Sequence, residues 1–139
     1  MKKNSGFTLF ELLVVISIIS LIVAVTSASF SSAQKRARDA RRRQDLNQVH
    51  KALEQYYAQN SAYPNLVDDC VPGAEFLPGG LPSDPKGGTY SFSWNCDLDS
   101  YCICAELELT TAGNASGVGT ANACSYAADD AYYCLQNVQ

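Results

Sequence analysis

The sequence predicts an α+β fold: one long N-terminal helix, half membrane-spanning and half amphipathic, packed on a small antiparallel sheet. Three observations carry that prediction. Residues 7–25 form an apolar run whose only charged member is Glu11, a heavily basic segment follows it, and all six cysteines lie in the C-terminal half of the chain.

Residues 7–30 are read as a transmembrane or core helix. At 1.5 Å per residue they cover about 36 Å, enough to cross the hydrocarbon layer. No second apolar segment of that length occurs, so the chain reads as single-pass. A carboxylate inside such a segment is expensive, roughly 2–3 kcal/mol or more at the bilayer centre, so Glu11, near the segment's end, calls for a partner or a route to the headgroups. Residues 1–6 carry Lys2 and Lys3 ahead of Gly6. A secretory signal peptide places its apolar region before the cut; here the apolar region follows and would be kept.

Ala33, Ala37, Ala40, Leu46, Val49, Leu53 and Tyr56 or Tyr57 recur at spacings of three and four, which predicts an amphipathic continuation over 31–60. It should stop near Asn60, because Pro64 biases Tyr63 out of helical conformation.

Residues 61–139 form the expected globular head. The stretch 65–88 holds four of the five prolines and five of the nine glycines, a long loop. Residues 89–94 alternate, with Tyr90, Phe92 and Trp94 on one face. Tyr101, Ile103, Ala105, Leu107 and Leu109 alternate with Cys102, Cys104, Glu106 and Glu108. Two half-buried strands joined by a turn over 95–100 follow. The small, polar stretch 112–122 reads as a loop, and 131–138 as a last strand. Cys70, Cys96, Cys102, Cys104, Cys124 and Cys134 allow fifteen pairings. Cys102 and Cys104 leave one strand on its polar face and are poorly placed to bond each other; Cys134 can reach either. A head of under about 100 residues has a small core, which disulfides would compensate.

Lys35, Arg36, Arg38, Arg41, Arg42, Arg43 and Lys51 face only Asp39 and Asp45 over 35–51, a net of +5, whereas 52–139 sets Lys86 against eleven acidic residues, a net of −10. By the positive-inside rule the basic block belongs in the cytoplasm. The cysteines require an oxidising compartment and place it outside. The asymmetry favours subunit-to-subunit electrostatics, basic stems against acidic heads. DNA binding is disfavoured: no aromatic residue lies between Phe30 and Tyr56. His50 reads as a surface helix residue. No Ser-His-Asp set, phosphate loop or acid–base pair appears, and Cys-x-Cys lacks the spacing of structural zinc sites, so no enzyme is expected.

The basic leader, Gly6 and the following Phe7-Thr8-Leu9-Phe10-Glu11-Leu12-Leu13 resemble the N-terminus of the type IV pilin and type II secretion pseudopilin family. Leu81-Pro82-Ser83-Asp84-Pro85 resembles a step before the first strand in major pseudopilins of secretion systems. The resemblance implies a pilin-like fold and removal of the leader by a prepilin peptidase between Gly6 and Phe7, with methylation of the Phe7 amine. It implies pairing of Glu11 with a neighbour's Phe7 amine in a homopolymer that includes minor pilins and is built by an inner-membrane platform and motor. It also implies a bacterial cytoplasmic-membrane anchor in lipid before assembly, with the head outside, and then a filament. No cofactor is firm. Asp129 and Asp130 are candidate calcium ligands by the same resemblance, without the family's glycine-rich surroundings, and paired aspartates are also a common turn. The rival reading is a membrane-tethered, cysteine-rich binding module that does not polymerise.

Overall fold

The computed structural model describes residues 6–64, 70–87, 92–119 and 122–138. The leader residues 1–5, part of the expected loop (65–69 and 88) and the first part of the expected strand (89–91) lie outside them. The chain divides into two units, Met1–Gln34 and Lys35–Gln139. One helix, α1 (Leu9–Asn60), runs through both.

In the first unit every large apolar side chain from Leu9 to Val25 is exposed, as is Phe30. Three of its described hydroxyls bond within the helix. Ser17, Ser20 and Thr26 donate to the carbonyls of Val14, Ile16 and Ile22. Back-bonding of this kind lets a serine or threonine sit in an apolar run without an unmet donor.

In the second unit Leu46, Val49, Ala52 and Leu53 form the buried stripe of α1 and meet Tyr63, Tyr101, Ile103 and Ala105. The stripe departs from the expected one at its start. Ala33, Ala37 and Ala40 are exposed, and the buried positions are Asp39, Arg42 and Asp45, at the same three-residue spacing. The helix ends where Ser61 adopts a left-handed φ of 55° and donates its N–H to Tyr57 O, 2.7 Å away. A left-handed residue followed by a proline is a standard helix stop.

Five antiparallel strands make one sheet: β1 (Phe92–Cys96), β2 (Tyr101–Glu106), β3 (Ala115–Val118), β4 (Cys124–Tyr126) and β5 (Tyr132–Gln136), in the order β1-β2-β5-β3-β4. Ile103 sits opposite Leu135, and Cys104 opposite Cys134. The expected loop over 112–122 is instead the site of β3, and β3 and β4 form a hairpin with a bulge between Ala115 and Gly117. Gly117 takes a φ of 133°, open only to glycine in practice. β2 stops at Glu106 because the chain turns to bond α1: Asp39 accepts the N–H groups of Glu108 and Leu109 at 2.9 and 3.0 Å.

Three disulfides close the head: Cys70–Cys96, Cys102–Cys124 and Cys104–Cys134. The face of β2 that carries Cys102 and Cys104 is buried, not polar, because Ala115, Cys124 and Cys134 cover it. Closing loops of 22 to 30 residues stabilises the fold by about 3.5 kcal/mol per bridge on the chain-entropy account.

Candidate assembly determinants and the ion network of the head

Phe7 is 85% exposed. Among the described residues nothing lies within 4 Å of a Cβ built on Gly6, so packing within the chain does not require glycine there. Thr8 caps α1. Its hydroxyl accepts the N–H of Glu11 at 3.3 Å, while the Glu11 carboxylate accepts the Thr8 N–H at 2.9 Å and its hydroxyl at 2.7 Å. This is a capping box, which satisfies two otherwise orphaned helix donors reciprocally. Glu11 is thereby held against the positive end of the helix. Thr8 had a signal in the sequence, the Thr-x-x-Glu spacing directly ahead of an apolar run.

The second constellation joins α1 to two distant segments. Arg42, with an 8% exposed side chain, donates to both Asp84 oxygens at 2.8 and 3.1 Å and to Asp39 at 3.1 Å. Glu108 lies 3.6 Å from the same guanidinium and accepts two bonds from Arg38, at 2.5 and 2.8 Å. Arg42 holds the Asp84 carboxyl below the ordinary carboxylate range, and Arg38 does the same for Glu108. The arginines are pushed up in turn, each chiefly by its bond to that partner. Arg43 donates to the Ala112 carbonyl and lies over the Tyr133 ring. Much of the basic block therefore meets acidic groups of its own chain, which corrects a purely intersubunit reading of the charge asymmetry. Asp84 of Leu81-Pro82-Ser83-Asp84-Pro85 acquires a role: it fastens that step to α1.

Residues 1–27 match the family profile described as the prokaryotic N-terminal methylation motif. The chain is 35% identical over 105 residues to the type IV wide pilus major component PilA4 of Thermus thermophilus, covering 76% of this chain and 75% of that one. The chain belongs to the type IV pilin and type II secretion pseudopilin family. It is also similar to type II secretion system core protein G of Vibrio cholerae, 25% identical over 88% of this chain and 94% of that one. With core protein G of Pseudomonas aeruginosa it is 29% identical, over 69% and 62%. No solved structure matches it.

The other candidate residues of this pilin-family chain fall into place as follows. Cys102 and Cys104 are unbonded to each other, 3.7 Å apart, and Cys134 takes Cys104. Among the described residues the only metal-sized group of ligating side chains is Cys102, Cys104, Cys124 and Cys134, and their sulfurs are consumed in disulfides. Asp129 is exposed in a turn, with a φ of 56°, and Asp130 accepts the Ala131 N–H at 2.7 Å. Among the described residues no further carboxylate joins them, and calcium takes about six to eight oxygens.

His50 is half-buried, which corrects the surface reading. Its Nδ1 lies 2.6 Å from the Tyr101 hydroxyl, which is also 2.7 Å from Glu54. Tyr101 has one hydroxyl proton. Donated to Glu54, it leaves the phenol oxygen to accept from His50 Nδ1–H. Tyr63 donates to the same carboxylate at 3.1 Å. Burial pushes His50 down and both tyrosines well up. The network seats α1 on β2 with polar partners inside an aromatic cluster.

Proposed function

We propose that the chain is a structural subunit of a type IV pilus-like filament, anchored in the bacterial cytoplasmic membrane by residues 7–30 before it polymerises. It is not an enzyme. The observation that carries this reading is the exposed apolar surface of α1 from Leu9 to Val25, interrupted by a single carboxylate. Lipid covers that surface in the free subunit, and the same helices of other copies cover it in a filament.

A prepilin peptidase cuts between Gly6 and Phe7 and methylates the new amine. Glu11 then faces the Phe7 amine of a neighbouring copy as a subunit docks. An inner-membrane platform and motor drive the step, minor pilins join the polymer, and the head lies outside the cytoplasm. Intact-mass analysis should find a chain that starts at methylated Phe7, and Gly6→Val should leave the precursor uncut. Glu11→Ala should insert and be processed but be missing from sheared filaments. Assembly of that variant at wild-type levels would show the pairing to be wrong. The tethered-module reading is set aside because the relatives are filament and secretion-system components.

A second reading, a secretion pseudopilus, is favoured by one specific feature. Asp84 lies within the Leu-Pro-x-Asp-Pro step and is bound twice by Arg42. Loss of protein secretion with surface pili intact, on deleting the chain, would select that reading.

A further inference from the structure

The second unit carries a groove and a knob of complementary character. The groove, about 740 Å³, runs between α1 and the segment 79–83. Ala37 and Ala40 form a small apolar strip on one wall, beside exposed Arg41 and Gln44 and the largely buried Asp45; Leu81 and Pro82 come from the facing segment. Leu81 is 39% exposed. The Arg41 side chain is 66% exposed and keeps only a loose contact of 3.8 Å with Asp45. It is a cation left over by the ion network that holds Arg38 and Arg42.

The knob is the turn between β1 and β2. Leu98 is 53% exposed there and lies between Asp97 and Asp99. The turn is pre-organised. Asp97 accepts the N–H groups of Asp99 and Ser100 at 2.9 and 2.7 Å, and the Leu98 carbonyl accepts the Tyr63 N–H at 2.9 Å. An apolar side chain held out on a rigid acidic turn loses little entropy when it is captured. The bond to Tyr63 also fixes the knob just beyond the end of α1.

Groove and knob cannot meet within one copy. From Arg41 to Asn60 the helix rises about 29 Å, so the two lie at different levels along it. Parallel copies offset by roughly that distance bring the knob of one level with the groove of the next. Such a contact uses different surfaces on the two copies, so it does not close on itself and propagates. We infer that Leu98 of one copy seats in the Ala37–Leu81 groove of a second copy, with Asp99 facing Arg41. The inference rests on the filament reading and names one of its lateral contacts. It gives the excess positive charge of α1 and the excess negative charge of the head a specific meeting place.

The test uses the full chain in cells that assemble filaments. Leu98 is replaced by a photoreactive benzoylphenylalanine, sheared filaments are irradiated, and cross-linked peptides are mapped. Adducts should fall on residues 37–44 or 81–83 of a second copy. In parallel, Arg41→Asp and Asp99→Arg should each lower filament yield by at least about tenfold through like-charge contact, and the double variant should restore it to within about twofold. Non-reducing mass mapping of each variant should return the three wild-type disulfides, which separates lost contact from lost folding. Adducts confined to other residues or to another protein would overturn the inference, as would a double variant no better than the singles. If Glu11→Ala abolishes filaments while both charge reversals leave the yield unchanged, this contact fails and the filament reading stands. If the wild type forms no filament, both fall.

Discussion

In the first part of α1, from Leu9 to Val25, the large apolar side chains are exposed and the one carboxylate is held by a residue three positions away. Further along the same helix Asp39 and Arg42 are buried; besides bonding each other, they take partners from 42 to 70 residues away in sequence. The first arrangement depends on nothing but one helical turn. The second exists only when the head is folded. A single helix thus carries one charge held within its own first turn and a set of charges committed to one tertiary structure.

That contrast can be broken most severely at Arg42. Arg42→Ala leaves the Asp84 carboxylate without its arginine beside those of Asp39 and Glu108, and removal of one partner from a buried pair costs about 3–5 kcal/mol. Thermal unfolding of the detergent-solubilised chain should show a loss of that order, whereas Glu11→Ala should leave the head's transition in place. Equal effects of the two substitutions would erase the distinction.

The next test removes a covalent link from the committed part. Cys104→Ser with Cys134→Ser should destabilise the head by about 3.5 kcal/mol through the reopened 30-residue loop, read from denaturant midpoints. The helicity of residues 9–26 in lipid should be unaffected.

A smaller effect comes from acid. Asp84 and Glu108 titrate below the ordinary carboxylate range in the folded head, because Arg42 and Arg38 bond their charged forms. As pH drops through the ordinary range, near 4, the unfolded chain takes up protons first, so stability declines and continues to do so until the folded carboxylates titrate. Unfolding midpoints between about pH 5 and 2 should fall, and Asp84→Asn should make the decline shallower.

The smallest effect belongs to the local device. Thr8→Val removes the N-cap hydroxyl, which should speed amide exchange in the first turn of α1 by about fivefold without moving the head's unfolding.

The same contrast decides what could be read in the sequence. The helix, its stop near Asn60, the β1–β2 hairpin and β5 were legible because apolar periodicity, Pro64 and strict alternation are local signals. The charged stripe was not. Counting apolar residues selects Ala33, Ala37 and Ala40, but the buried face follows Asp39, Arg42 and Asp45, and the partners that bury Asp39 and Arg42, from Asp84 to Leu109, lie beyond any local window. The hairpin β3–β4 was hidden for a related reason. Its residues are small and polar, and it is held by backbone and side-chain bonds: Gly119 N–H to Ala123 O at 2.8 Å, and Asn114 exchanging bonds with the Cys134 backbone at 2.7 and 3.0 Å. Missing that hairpin made the cysteine face of β2 look polar, since Glu106 and Glu108 share its alternation and Cys124 had no assigned place. At the N-terminus Glu11 stood out at once by its cost in an apolar run. Thr8 required a search for capping pairs.

The disulfides also govern what happens if the head is pulled apart. Cys70–Cys96 and Cys104–Cys134 each short-circuit the chain, by 26 and 30 residues, and only the short stretch between Cys96 and Cys104 separates the two shortcuts. Under tension applied to the two ends of the polypeptide, those loops cannot pay out as slack. At about 3.4 Å per extended residue, roughly 190 Å of contour length stays locked away. A head stripped of its sheet by force would still behave as a short tether rather than a long one.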